Sequence, residues 1–252
     1  MNVYKMVFSP TGGTMKAADM VAQTLADEVT LVDLCDSKKD FRSLVLNEDD
    51  VAVIAVPSYG GRVPTTAVAR LSKCRGNGAR AVLMAVYGNR AYEDTLLELQ
   101  DTVKEAGFKV VAAIATVAEH SIAHQFATGR PDAQDQQQLE EFARQIKKKL
   151  ADGHLAAPHL PGNRPYKTSN VSMVPKATKA CVSCGLCARK CPVQAIDHLH
   201  PQNVDKKACI SCMCCVTICP QHARTIHPIM QFAAGLALKK ACSQRKEAEL
   251  FI

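Results

Sequence analysis

The chain has no tryptophan, and only 5 tyrosines and 7 phenylalanines among 252 residues. A site that needs a flat ring to stack against must therefore draw on a tyrosine. No stretch approaches the ~18 consecutive apolar residues of a membrane helix, so no membrane span is expected. The opening residues show no basic start, long apolar stretch and small-residue cleavage site, and the expectation is a cytoplasmic protein. The glycine-rich turn near the N-terminus lacks the Gly-Lys-Ser/Thr ending of a nucleoside-triphosphate loop. It also lacks Gly-x-Gly-x-x-Gly, so neither triphosphate hydrolysis nor a dinucleotide is favoured. Acidic residues are scarce in the last third. Residues 151–252 hold 13 of the 31 Lys and Arg but only 5 of the 24 Asp and Glu. No nucleic-acid recognition motif accompanies this charge, so a nucleic-acid partner is not expected.

Cysteine is abundant. There are 12, of which 10 fall between Cys181 and Cys242. In a reducing compartment such a concentration points to metal ligands rather than structural disulfides.

The first 150 residues alternate in pattern. Five apolar runs, Val3–Phe8, Val29–Leu34, Val51–Val56, Ala81–Val86 and Phe108–Val117, read as strands. Helical stripes lie between and after them: Ala18, Val21, Ala22 and Leu25; Leu96, Leu99 and Val103; Leu139, Phe142, Ala143, Ile146 and Leu150. The weakest stripe is Ala67, Leu71 and Cys74 after Pro64. Continuous apolar strands alternating with amphipathic helices predict an α/β fold with a five-stranded, doubly wound parallel sheet of order 2-1-3-4-5. Ligands in that fold sit beyond the carboxyl ends of the strands.

Three such strand ends carry suitable chemistry. Ser9, Thr11, Gly12, Gly13 and Thr14 follow the first strand and open a helix, where backbone amides and hydroxyls suit a phosphate. Ser58, Tyr59, Gly60 and Gly61 follow the third, and Tyr87, Gly88, Asn89 and Tyr92 the fourth. Each of these two pairs an aromatic with glycine, as a planar redox ring requires. Which of the three tyrosines stacks is left open. Arg62, Arg90 and His120 are candidate catalytic residues, with solvated arginines and a loop-bonded histidine as the plainer alternatives. The long connection after the fifth strand leans toward a pocket.

Residues 153–175 are rich in proline and polar residues and read as a linker between a first domain, 1–152, and a second, 176–228. In the second domain, Cys181-x-x-Cys184-x-x-Cys187-x-x-x-Cys191-Pro192 repeats at an offset of 28 residues as Cys209-x-x-Cys212-x-x-Cys215-x-x-x-Cys219-Pro220. Cys214 breaks the symmetry, and the repeated spacing favours Cys215 as the ligand. Zinc sites of four cysteines use paired CxxC motifs with a longer gap and fit less well. The apolar run Ile229, Phe232, Ala233, Leu236 and Leu238 suggests a helical extension over 229–252, packed back on the first domain or serving a partner.

The first 150 residues resemble flavodoxin, whose phosphate loop is Ser/Thr-x-Thr-Gly-x-Thr, and the resemblance implies FMN. The cysteine runs resemble bacterial ferredoxin, a small α+β fold with two [4Fe–4S] clusters. That resemblance implies one cluster on Cys181, Cys184, Cys187 and Cys219, and the other on Cys209, Cys212, Cys215 and Cys191. Each core with four thiolates carries about −2, so two would offset about half of the basic excess. The whole chain looks like the flavodoxin–ferredoxin fusions found mainly in anaerobic prokaryotes. It implies electron transfer between the clusters and FMN, with a redox protein as partner. The alternative is a flavin-dependent reductase of a quinone-like small molecule.

Overall fold

The computed structural model describes residues 2–153, 155–168 and 173–252; within the expected linker, residues 154 and 169–172 lie outside the described residues. Five parallel strands form the sheet: β1 (Val3–Val7), β2 (Val29–Asp33), β3 (Val51–Pro57), β4 (Arg80–Tyr87) and β5 (Lys109–Val117). Their order is 2-1-3-4-5, as the alternating pattern predicts. Register runs from Val3 against Val29 and Val51 to Tyr87 against Val117, with one irregularity in the β4–β5 pairing between Ala81 and Val82.

Each strand feeds both faces of the sheet. Ala52, Ile54 and Val56 of β3 belong to one core, together with Ala67 and Leu71 of α2 (Thr65–Leu71) and Leu96, Leu99 and Val103 of α3 (Thr95–Glu105). Val51, Val53 and Ala55 belong to the other, with Ala17, Ala18, Val21 and Ala22 of α1 (Gly13–Leu25) and Leu139, Ala143 and Ile146 of α4 (Ala133–Ala151). Side chains alternate across a strand, so a strand covered on both sides must be apolar throughout, as β3 is.

The segment after α4 does not hang free. Asn163 and Lys167 donate their amides to the Asp94 carboxylate at 2.9 and 2.7 Å, Arg164 forks onto Asp101, and Leu160 is buried in the core beside α3.

The second region is built on the repeat. A two-stranded antiparallel sheet joins β6 (Lys176–Ala177) to β7 (Arg224–Thr225), with short helices α5 (Leu186–Arg189) and α6 (Cys214–Thr217). The backbone repeats with the sequence. Residues 183, 185 and 194 have φ of 54°, 72° and 52°, and their counterparts 211, 213 and 222 have 56°, 62° and 46°. Where the first copy uses Gly185, the second forces Met213 into the left-handed region, at a cost of roughly 1–2 kcal/mol. The loop geometry is therefore demanded by something other than local preference.

The chain then returns to the first domain. Helix α7 (Pro228–Cys242) crosses its ligand edge, and β8 (Glu249–Phe251) adds antiparallel to β5. β8 covers Ala113–Ala115 of β5 and leaves a three-residue strand as the sheet's edge, and short edge strands are poor templates for pairing with another chain. The stripe Ile229, Phe232 and Leu236 is not the face that packs: these residues are 72%, 71% and 62% exposed. The smaller Ala234 and Ala237, with Leu238, face inward, because small side chains let the helix approach the loops closely.

Candidate functional site

A cavity of about 350 Å³ lies beyond the carboxyl ends of the strands. Thr11, Gly13 and Thr14 line it from the first loop, Ser58, Tyr59 and Gly60 from the second, and Tyr87, Gly88 and Arg90 from the third. Glu119 to Ile122 close one side, and Ala234, Ala237 and Leu238 of α7 another. Ile210 and Ser211, from the second cysteine run, complete the wall.

The first loop turns tightly at Gly12, whose φ is 92°. Ser9 works behind it: its hydroxyl accepts the Met15 amide at 2.9 Å and so braces the start of α1. The first-turn amides of α1 are those a helix leaves without an internal partner, and they carry partial positive charge. Lys16 does not line the cavity; its ammonium donates to the Pro131 carbonyl at 2.6 Å. This end suits a phosphate held by neutral donors.

The second loop doubles back, with Tyr59 and Arg62 exchanging backbone bonds of 2.9 and 3.2 Å around Gly60 and Gly61. Ser58 is pinned by Thr95 at 2.7 Å between hydroxyls. Tyr59 is half-buried. Burial holds its hydroxyl well above the usual phenol range, and Cys212, Cys35 and Cys214 nearby act in the same sense. Tyr87 is buried and lines the cavity, while Tyr92 packs on it at 5.3 Å and donates to Glu249. Tyr92 does not line the cavity, and Asn89 instead ties down the tail. Its amide donates to the carbonyls of Cys242 and Gln244, and its oxygen accepts from Lys246.

The three catalytic candidates separate. Arg62 does not line the cavity. It forks onto Glu98 at 2.7 and 2.6 Å, donates to the Lys167 carbonyl and stacks over Tyr166 at 4.9 Å, a bracing role that sequence alone leaves open. Arg90 does line it, its guanidinium held by Glu93. His120 lines it as well, packed across Gly88. The Nδ1 of His120 accepts the amides of Ile122 and Ala123 at 3.2 and 3.1 Å, so the proton resides on Nε2. Burial, with the charges of His124 and Arg90, lowers its pKa and keeps it neutral.

Two further hollows lie in the second region. Cys181, Cys184, Cys187 and Cys219 line one; Cys191, Cys209, Cys212 and Cys215 line the other. Cys214 also borders the second, but its thiol turns toward the Lys190 carbonyl at 3.6 Å. Among the described residues no three His, Cys, Asp or Glu side chains converge closely enough for a single metal ion. Each quartet instead surrounds a space. The Ala195 amide donates to Cys191 Sγ at 3.4 Å, and the Ala223 amide to Cys219 Sγ at 3.3 Å. Amide donors of this kind stabilise thiolate ligands of iron–sulfur clusters. The donor set fits a cube of iron and sulfur.

A family model described as a 4Fe-4S dicluster domain matches residues 173–220. Residues 173–220 are a ferredoxin-type 4Fe-4S region. With the strand order of the first domain, this makes the chain a fusion of a flavodoxin-like domain and a ferredoxin-type region. No curated protein matches the sequence. Among solved structures, a flavodoxin of Streptococcus pneumoniae TIGR4 is 22% identical, over 58% of this chain and 99% of that one, with a TM-score of 0.41. Flavodoxin 1 of Bacillus cereus is 16% identical over 59% and 98%, with a TM-score of 0.43. An NADH:FMN oxidoreductase is 16% identical over 65% and 97%, also at 0.43. The fold rests on the order and register of the fusion's own strands, and its pairing of domains supports a redox role.

The two parts are joined where their sites meet. Arg70 of α2 donates to the Leu34 carbonyl of the first domain and, at 2.6 Å, to the Pro192 carbonyl of the second. Gln194 reaches Ser37 at 3.0 Å. No helix of the described residues is long and apolar enough to cross a membrane.

Proposed function

We propose that the fusion binds FMN in the strand-end cavity and two [4Fe–4S] clusters in the cysteine hollows, and carries electrons between them. One observation carries this reading: Ile210 and Ser211, which lie between the ligands Cys209 and Cys212, form part of the cavity wall. The cluster of Cys191, Cys209, Cys212 and Cys215 is then the inner one, beside the flavin. The cluster of Cys181, Cys184, Cys187 and Cys219 is the outer one, and its Cys184 is exposed. A redox protein exchanging electrons with the chain would meet it there.

When bound, FMN supplies one- and two-electron chemistry. The chain's residues hold it. Thr11, Thr14 and the Gly13 and Thr14 amides at the start of α1 take the phosphate, the Met15 amide being held by Ser9; Tyr59 and Tyr87 present rings, and Arg90 and His120 border the site, with the His120 proton on Nε2 as a donor. Fusing the carriers makes their encounter intramolecular, which raises effective concentration without any new contact.

A second reading, reduction of a small quinone-like acceptor, is favoured by the roof that α7 places over the cavity and by Arg90 and His120 within it. Ligand pockets begin at about 300 Å³, so the volume suits one planar ligand better than two. Electron transfer is therefore the first reading.

The test is anaerobic purification with iron, sulfide and flavin analysis. About eight irons and one FMN per chain are expected. Zinc in place of iron, or no flavin, would sink the proposal. Turnover of a small oxidant under reduced ferredoxin would favour the second reading.

A further inference from the structure

The two cysteine runs are copies, and their hollows part at one informative position. Ala195 and Ala223 correspond, each donating its amide to the last cysteine of its run. The next residue is Ile196 in the first copy and Arg224 in the second. Ile196 lines the inner hollow, and Arg224 lines the outer one.

Arg224 is 3% exposed. Its Nη2 donates to the Pro201 carbonyl, which borders the same hollow. Its Nε and Nη1 find no acceptor among the described residues. Arginine cannot shed its charge, and a buried charged donor without a partner is strongly destabilising. The acids of this region are engaged elsewhere. Asp197 accepts the amides of Leu199 and His200, and Asp205 those of Lys207 and Ala208. A cube of iron and sulfide on four thiolates supplies what is missing, a net negative charge and sulfur acceptors.

We propose that Arg224 tunes the outer cluster, donating from Nε and Nη1 to its sulfurs and setting its potential above that of the inner cluster. This rests on the proposed cluster assignment. Reduction adds one electron's charge to a cluster, so a fixed buried cation and its N–H donors favour the reduced form. Ile196, at the equivalent place, offers the inner cluster no N–H donor; the charge of Arg224 is also felt at Cys215 and Cys209 of the inner set, so the copies differ chiefly in the donors each hollow receives. The first electron to enter the oxidised pair of clusters then rests on the outer one, and the inner one is the uphill relay toward the flavin cavity.

The test is a redox titration of the whole, cluster-loaded chain followed by paramagnetic resonance, with signals assigned by a Cys181→Ser chain. Arg224→Ile makes the copies alike at this position. Its outer-cluster reduction equilibrium should fall at least tenfold, about 59 mV for one electron, and more than that of the inner cluster. Arg224→Lys keeps the charge but loses the planar fork, and should shift the same way by less. Iron content of the parent tests the cluster assignment separately. An unchanged outer midpoint in a variant with full iron content, or equal falls at both clusters, overturns the role given to Arg224. Should Arg224→Ile lose its iron, Arg224→Lys decides by the same criteria.

Discussion

Asn89 links the cavity to the tail that roofs it, and its removal should open that roof. The side chain is 3% exposed and makes three bonds to the chain after α7: to the carbonyls of Cys242 and Gln244 at 2.9 and 2.8 Å, and from the Lys246 amide at 3.3 Å. At about 1 kcal/mol each, their loss costs about 3 kcal/mol. Asn89 also sits at a φ of 65°, which alanine tolerates poorly and glycine well. Asn89→Gly should therefore cost about 3 kcal/mol and Asn89→Ala about 1 kcal/mol more. The cost falls on the tail, which detaches locally rather than unfolding the sheet. Hydrogen exchange at residues 243–251 should then accelerate roughly a hundredfold in Asn89→Gly and further in Asn89→Ala, since each 1.4 kcal/mol is about tenfold. The β3 and β4 amides should be unaffected. Flavin should dissociate faster, because α7 supplies Ala234, Ala237 and Leu238 to the cavity wall. Exchange within threefold of the parent in both variants would refute the view that Asn89 holds the tail.

Other substitutions separate bracing from binding. Arg62→Ala leaves Glu98 buried without its guanidinium and should destabilise the fold by about 3 kcal/mol in urea melts, with the flavin spectrum unchanged. Gly61→Ala should weaken flavin binding, since an added Cβ at φ 86° would lie 1.9 Å from Glu93 Oε2 and displace the carboxylate that holds Arg90; titration with FMN measures it. Cys215→Ala should lose the inner cluster's iron while Cys214→Ala retains it, because Cys215 repeats Cys187 and the Cys214 thiol is turned to Lys190. His120 has its pKa lowered from 6.5 by burial, so the unfolded chain binds its proton first as pH falls. Its contribution is whole above pH 6.5 and declines below it, and the melting temperature of His120→Gln should fall less between pH 7 and pH 5 than that of the parent.

Much of this molecule is legible from its residues. Buried parallel strands must be apolar on both faces, and amphipathic helices must cover them, so the order of the elements and the ligand edge follow from periodicity. The cysteine repeat is legible for a harder reason. A cube needs three ligands on one tight loop and a fourth from a distance, and few other chemistries impose that spacing. That the loops after the first, third and fourth strands would meet at one cavity was visible because this fold places ligands at strand ends.

What one-dimensional pattern does not carry is which side chains meet across long separations. Arg62 and Arg90 look alike beside their glycines, yet Glu98, 36 residues on, claims one for bracing, and only the other borders the cavity. Helix α7 is apolar on most sides, so its period does not say which face packs; the close approach of the loops selects the alanines and leaves Phe232 outside. Strand β8 is three residues long and exists because β5 offers it an edge. The cysteine spacing determined that iron–sulfur ligands are present, since ligand geometry is written into local sequence. That the second run abuts the strand-end cavity, and that Arg224 lines one hollow and not the other, was decided by tertiary packing, which alone brings distant segments into contact.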